Sequence, residues 1–144
     1  MNENNFIKNI HKCDLKLMNI CIEVAKKSNM NSKHGCIIID SNNKIVSSAY
    51  NKRTSMHNEH IHDPIIRLKK KFSTHAEENA LKNVNRNKLK GAKLYVVRWG
   101  CNDEQSYFMN SKPCSKCTAI IQACFKFGLK AAYYSTDSND FLEI

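Results

Sequence analysis

The chain has 144 residues, 42% apolar and 25% charged, a composition ordinary for one globular unit, so residues 1–144 are expected to form a single domain. No apolar run approaches the roughly 20 residues that a membrane span requires, and the first residues, MNENNFIKNIHKCD, lack the apolar stretch of a secretory signal. Seven cysteines, an odd number, suit thiols or metal ligands better than a disulfide framework. These features argue against a membrane protein and a disulfide-stapled secreted one, and set the expectation of a cytoplasmic protein, with a nuclear one also open. The net charge of +10 suits polyanionic partners: nucleotides, RNA or single-stranded DNA. A solvated, lysine-rich surface shaped by coding bias explains the charge equally well.

In chain order, residues 13–28 place Leu15, Met18, Ile22 and Ala25 at helical spacing. A β-branched run at 36–39 is stopped by Asp40-Ser41-Asn42-Asn43, and a second strand follows at 44–50, which reads as an antiparallel hairpin. Residues 52–72 are basic and irregular, and the Arg67–Lys71 stretch reads either as a phosphate contact or as a solvated face. A helix is expected at 74–86, a strand at 93–98, and a polar loop at 99–112 in which Trp99, Tyr107 or Phe108 either stacks on a base or packs the loop. Pro113 opens another helix, running to about Phe127 and ended by Gly128. A last strand is expected at 130–134, and the tail reads as a short extra element or as unstructured. The order α-β-β-α-β-α-β is that of an α/β fold, with parallel neighbours and right-handed crossovers in its second half.

Two segments carry chemistry: His75-Ala76-Glu77 and Pro113-Cys114-Ser115-Lys116-Cys117. Cys114 and Cys117 share a helix face in the first turn, where the positive end of the helix dipole favours thiolates. Two thiolates make half a zinc site. There is no second C-x-x-C and no paired His-x₃₋₅-His at zinc-finger distance. The site is therefore expected to be open, with His75 as third ligand and water as fourth. Ser73 and Thr74 are good N-caps and put a helix start where His75 and Glu77 can converge. Glu77 would then shuttle protons between the water and a substrate. Taken singly, each element has a plainer reading. Thr74-x-x-Glu77 is a capping-box pattern, and a C-x-x-C is often structural or redox-active. Together and in this order they match the zinc deaminase signature H-x-E…P-C-x-x-C.

On these residues the chain resembles the cytidine deaminase-like superfamily, from about Leu17 to Thr136. The stretch HGCIIIDSNNKIVSSAYN is similar to the family's first hairpin. The resemblance implies a three-layer α/β/α sandwich around a mixed five-stranded sheet. It implies Zn²⁺ held by His75, Cys114 and Cys117, with Glu77 as the proton shuttle. It also puts Asn51 on the substrate sugar and the Ala76 backbone at the base edge. HAEENAL, with Asn79, and PCSKCTAIIQA resemble the deoxycytidylate deaminase group. That likeness implies hydrolysis of dCMP to dUMP and ammonia, with Asn79 in the substrate-binding set and Lys52 and Arg53 available to the phosphate. It further implies a homo-oligomer, and a second zinc at His57, His60 and His62, for which a solvated polar loop is the alternative.

Two other functions stay open. Basicity favours a nucleic-acid editing deaminase acting on tRNA adenosine or single-stranded cytosine. A catalytically silent zinc-binding relative is the other, against which the intact Glu77 argues. Cys13, Cys21, Cys36 and Cys124 fit small buried hydrophobes.

Overall fold

The structure, a computed structural model, describes residues 16–53, 73–101, 106–137 and 141–144. The hairpin forms around its Asx turn. Asp40 Oδ1 accepts from the backbone N–H groups of Asn42 (2.8 Å) and Lys44 (2.9 Å), and Asn43 takes the left-handed conformation that asparagine tolerates, φ 62°. The turn joins β1 (Lys33–Ile39) to β2 (Ile45–Tyr50), which pair antiparallel from Gly35–Tyr50 to Ile39–Ile45. β1 starts earlier than its apolar run, because Lys33, His34 and Gly35 pair with Trp99, Arg98 and Val97 of β5 (Lys93–Cys101).

Two short strands, β3 (Lys52–Arg53) and β4 (Ser73–Thr74), pair with each other. The rest of the sheet comprises β6 (Ser106–Met109), β7 (Ala131–Ser135) and β8 (Phe141–Glu143), in the order β2-β1-β5-β7-β8 with β6 on the far end of β5. The expected mixed sheet of five is therefore present with one addition: residues 99–112 are not simply a loop, since β5 runs on to Cys101 and returns as β6. The expected parallel pairing holds for β5 with β7. β2 and β5 also point the same way, but β1 lies between them and is antiparallel to both. The tail supplies β8, antiparallel to β7.

Strand alternation sends side chains to two cores. On one face, Cys36, Ile38, Leu94, Val96 and Ala132 pack with Ala76 and Ala80 of α2 (Ala76–Lys82) and Ile121 of α3 (Ser115–Phe125). On the other, Ile37, Ile39, Tyr95 and Val97 pack with Cys21, Val24 and Ala25 of α1, a helix over residues 16–25. A strand covered on both faces buries every side chain, which is why Cys36–Ile39 is an unbroken apolar run. Helices on both faces of a mixed sheet complete the three-layer α/β/α sandwich.

The helix boundaries differ from expectation where tertiary contacts intervene. α1 ends at residue 25, and its buried face is Met18, Cys21, Val24 and Ala25, with Ile22 only partly covered. α2 spans less than 74–86: Ser73 and Thr74 are drawn into β4, and a separate 3-10 turn at Arg86–Lys88 starts behind an Asn85 side-chain cap. α3 begins after Cys114, two residues later than Pro113, and the chain turns away at Gly128, φ 97°. Cys21 and Cys36 are fully buried and Cys124 is partly so, all free thiols, while Cys13 lies outside the described residues. No helix among the described residues is long and apolar enough to cross a membrane.

α1 lies against β1 at Gly35. A Cβ there would sit 2.4 Å from the Cys21 carbonyl oxygen and 2.7 Å from the Ala25 nitrogen, both backbone atoms. Gly35→Ala should therefore push the helix off the sheet and cost about 1–3 kcal/mol or more, as overpacking does. A urea denaturation midpoint equal to the parent's would show that the contact is not this tight.

Candidate metal centre and reaction pocket

Two chain segments reach the same end of the sheet and start helices there. At the first, His75 is the N-cap of α2, extended at φ −73° and ψ 153°, with no side-chain cap hydrogen bond. Neither Ser73 nor Thr74 caps this helix, and the capping-box reading fails, because a box on Thr74 needs Thr74 at the N-cap. The cap position frees the His75 imidazole to face across to α3. At the second, Cys114 is the N-cap of α3, and its sulfur accepts from the Cys117 backbone N–H at 3.5 Å.

The ligand atoms of His75, Cys114 and Cys117 lie within 4.8 Å of one another. His75 Nδ1 is 3.3 Å from Cys117 Sγ and 3.5 Å from Cys114 Sγ. Zinc bonds to nitrogen and sulfur at tetrahedral angles put those atoms about 3.5 Å apart. The donor set thus fits Zn²⁺ in both chemistry and spacing, with Nδ1 as the imidazole donor. Burial, then the Glu77 charge, then Cys114, push the Cys117 thiol well above its ordinary range. A thiol so placed ionises in exchange for a cation, so metal binding and proton release are coupled.

Beside these ligands lies a pocket of about 260 Å³, lined by Met30, Ser32, His34, Asn51, His75, Ala76, Glu77, Ser111, Lys112 and Cys114. Glu77, only 5% exposed, reaches it from the first turn of α2. Burial is the main cause that holds its carboxyl above the usual carboxylate range. The imidazole of His34 is driven the other way, to a pKa of about 4, by burial first and then by the charges of Arg98 and His75. His34 therefore presents a neutral ring at pH 7.

Of the residues expected to meet substrate, Ala76 and Asn51 line this pocket. Asn51 is buried and its amide is engaged: Oδ1 accepts from the His34 N–H (2.8 Å), and Nδ2 donates to the Ser32 carbonyl (2.7 Å). Asn79 is not among the lining residues; its Nδ2 donates to the Tyr50 carbonyl (3.1 Å) and ties α2 to the end of β2. Lys52 and Arg53 are exposed on β3, outside the lining, and the Lys52 ammonium sits over the Tyr50 ring. His57, His60 and His62, and the Arg67–Lys71 stretch, lie outside the described residues. Sequence reasoning missed Met30, Ser32, His34, Ser111 and Lys112 as pocket residues. No periodicity marks them; only the place of Ser111 and Lys112 just ahead of Pro113 could have pointed to one wall.

A buried serine pair fixes the cysteine segment. β7 stops pairing with β5 at Val96, and β6 takes over from Arg98, so the chain leaves the sheet through the gap between them. Ser111 and Ser135 fill that gap. Ser111 Oγ donates to the Val96 carbonyl (2.9 Å) and accepts from the Ser135 N–H (2.7 Å). Ser135 Oγ donates to the Met109 carbonyl (2.7 Å) and accepts from the Arg98 N–H (3.1 Å). Both hydroxyls are thereby satisfied inside the protein, three residues ahead of Cys114.

Two outcomes are expected. Ser111→Ala should cost about 1–3 kcal/mol, the penalty for stranding buried partners. It should also release zinc to a chelator about 10–100-fold more readily, as loss of an outer support does. Unchanged release would confine the pair to stability. Separately, the folded pKa of His34 lies below its unfolded value of about 6.5. Between those values the unfolded chain binds the extra proton, so stability falls as pH drops from 6.5 toward 4. His34→Gln should flatten that part of a stability–pH profile, and an unaltered slope would assign it to other groups.

The comparisons with known proteins agree with this geometry. The family described as the cytidine and deoxycytidylate deaminase zinc-binding region matches residues 11–136. No curated protein sequence matches the chain. Among solved structures, the dCMP deaminase of cyanophage S-TIM5 in its apo form is 23% identical, with a TM-score of 0.54 over 83% of this chain and 79% of that one. The same enzyme in complex with dCMP and dUMP is 21% identical, with a TM-score of 0.53 over 85% of this chain and 80% of that one. A cytidine deaminase from Burkholderia pseudomallei is 12% identical, with a TM-score of 0.54 over 100% of this chain and 92% of that one. These likenesses carry the fold, whereas the family match spans most of the sequence: the chain belongs to the cytidine and deoxycytidylate deaminase family and is a zinc-dependent deaminase.

Proposed function

We propose that the protein deaminates a cytosine nucleotide, dCMP to dUMP plus ammonia, with His75, Cys114 and Cys117 as the zinc ligands and Glu77 as the proton carrier. The observation that carries this reading is the placement of Glu77. It is a buried carboxyl that opens onto the same small pocket as the three metal-type donors.

Zinc, when bound, makes the proton of a water labile near neutral pH. Glu77 would carry one proton of that water to the ring nitrogen of the base, where it stays in the product, and the second proton to the departing amine, which leaves as ammonia. Its raised affinity for a proton suits a group that must hold one between those steps. The pocket volume of about 260 Å³ lies just below the usual range of roughly 300–1,000 Å³ for small-molecule sites. It suits a single pyrimidine ring, with the rest of the nucleotide extending out of it. The complex of the cyanophage enzyme with dCMP and dUMP supports the choice of substrate.

The test is ammonia release from dCMP by the zinc-loaded protein. Glu77→Gln should keep its zinc and lose about 10²–10⁴-fold in turnover, the usual contribution of a general acid–base group. A parent that binds one zinc and leaves dCMP untouched overturns the substrate. Activity on single strands or tRNA that collapses with rising salt would then identify a polynucleotide enzyme.

A further inference from the structure

Ser32 lines the reaction pocket and also a second cavity, of about 380 Å³, at the same end of the sheet. Asn31, Lys33, Arg98, Trp99 and Met109 are among its other walls. Strand register explains its place. His34, in the reaction pocket, pairs across with Arg98, and one step further out Lys33 pairs with Trp99.

The chemistry of this cavity is one-sided. Lys33 and Arg98 bring two cations, and none of the described lining residues is acidic. The ion pairs among the described residues, Lys26 with Glu23 and Lys116 with Glu78, include neither cation. Arg98 Nε and Trp99 Nε1 are buried and meet no hydrogen-bond acceptor. Buried N–H groups are nearly always paired, so two orphans on adjacent residues mark a local lack of acceptors. The Lys33 ammonium donates to the Ser28 carbonyl, which positions it and leaves further protons for a ligand. Two unpaired donors and two positive charges, with no acidic side chain among the described lining residues, together call for an oxyanion. The planar fork of arginine suits phosphate in particular, by paired N–H bonds.

We propose that this cavity is a phosphate subsite, holding a phosphate of the nucleotide whose base enters the reaction pocket. Arg98 makes the paired contact, Lys33 adds the second charge, and Trp99 forms a wall. The assignment rests on the nucleotide-deaminase reading above. It moves phosphate recognition away from Lys52 and Arg53, which line neither cavity. The phosphate is either the nucleotide's own monoester or the diester to the next residue of a strand, since the same contacts serve both.

Trp99 is the chain's single tryptophan, so emission comes from the wall of this cavity and from no second indole. The test titrates the zinc-loaded Glu77→Gln protein with inorganic phosphate, deoxycytidine, dCMP and a short oligodeoxycytidylate, following fluorescence. Phosphate and dCMP should each give a saturable change. Adding Arg98→Gln should weaken dCMP about tenfold or more, as loss of a charge-assisted contact does, and leave deoxycytidine binding, followed by equilibrium dialysis, within about twofold. Lys33→Gln, on the rim, should give a smaller loss of the same kind and serves where Arg98→Gln does not fold. Tighter binding of the oligonucleotide than of dCMP assigns the diester, and the reverse assigns the monoester. No response to phosphate or dCMP, or equal loss of dCMP and deoxycytidine in the variants, overturns the subsite. A phosphate response that needs Arg98 in a protein that deaminates none of these compounds keeps the subsite and removes the deaminase substrate. Deamination without that response does the opposite.

Discussion

Three side chains from two helix starts must meet at one point, and much of the architecture serves that meeting. His75 and Cys114 are both N-caps, each with extended backbone, so their side chains leave the helix axis and face each other. Cys117 comes from the first turn of α3 and closes the group. The register of β1, β2 and β5 brings the neighbouring walls, His34 and Asn51, to the same end of the sheet. The sheet must also part between β6 and β7 to let the cysteine segment out, and Ser111 and Ser135 seal that opening with hydrogen bonds.

The arrangement is costly to the fold. Histidine at an N-cap forgoes a side-chain bond that Ser or Asp would supply, worth about 1 kcal/mol. Glu77 and Cys117 are buried with raised proton affinities, and His34 is buried as a neutral ring. Each of these is a local conflict between stability and placement. Two apolar cores, one on each face of the sheet, offset them. Conflicts concentrated in one pocket on an otherwise consistent fold are what a functional site produces. A dication there reverses the local logic, because the thiols then gain by losing their protons.

Charge on this end of the molecule is likewise organised. His34 and Arg98 are cross-strand partners, so the arginine that depresses the histidine's proton affinity also stands at the neighbouring cavity. Base-sized space and cationic space thus lie on either side of Ser32. A net charge of +10 alone did not distinguish a binding surface from a solvated one.

Local chemistry was legible in the sequence. The Asx turn at Asp40, the stop at Gly128, the unbroken apolar run at 36–39 and the spacing of His75, Glu77, Cys114 and Cys117 each act through a few neighbouring residues. The hairpin and the end of α3 could therefore be anticipated from the residues alone, whereas the meeting of His75 with Cys114 and Cys117, some forty residues on, was anticipated from the signature they share with a known family. What depends on pairing across the chain could not. The pairing of Ser73 and Thr74 with β3 made His75, not its predecessors, the cap of α2. The return of β6 onto β5 turned an expected loop into sheet and put Arg98 and Trp99 on a cavity. A bond to the Tyr50 carbonyl gave Asn79 a place in the scaffold instead of in the pocket wall. Turn residues and caps encode themselves within a few positions, whereas strand register and cavity walls are settled by which distant segments bury each other.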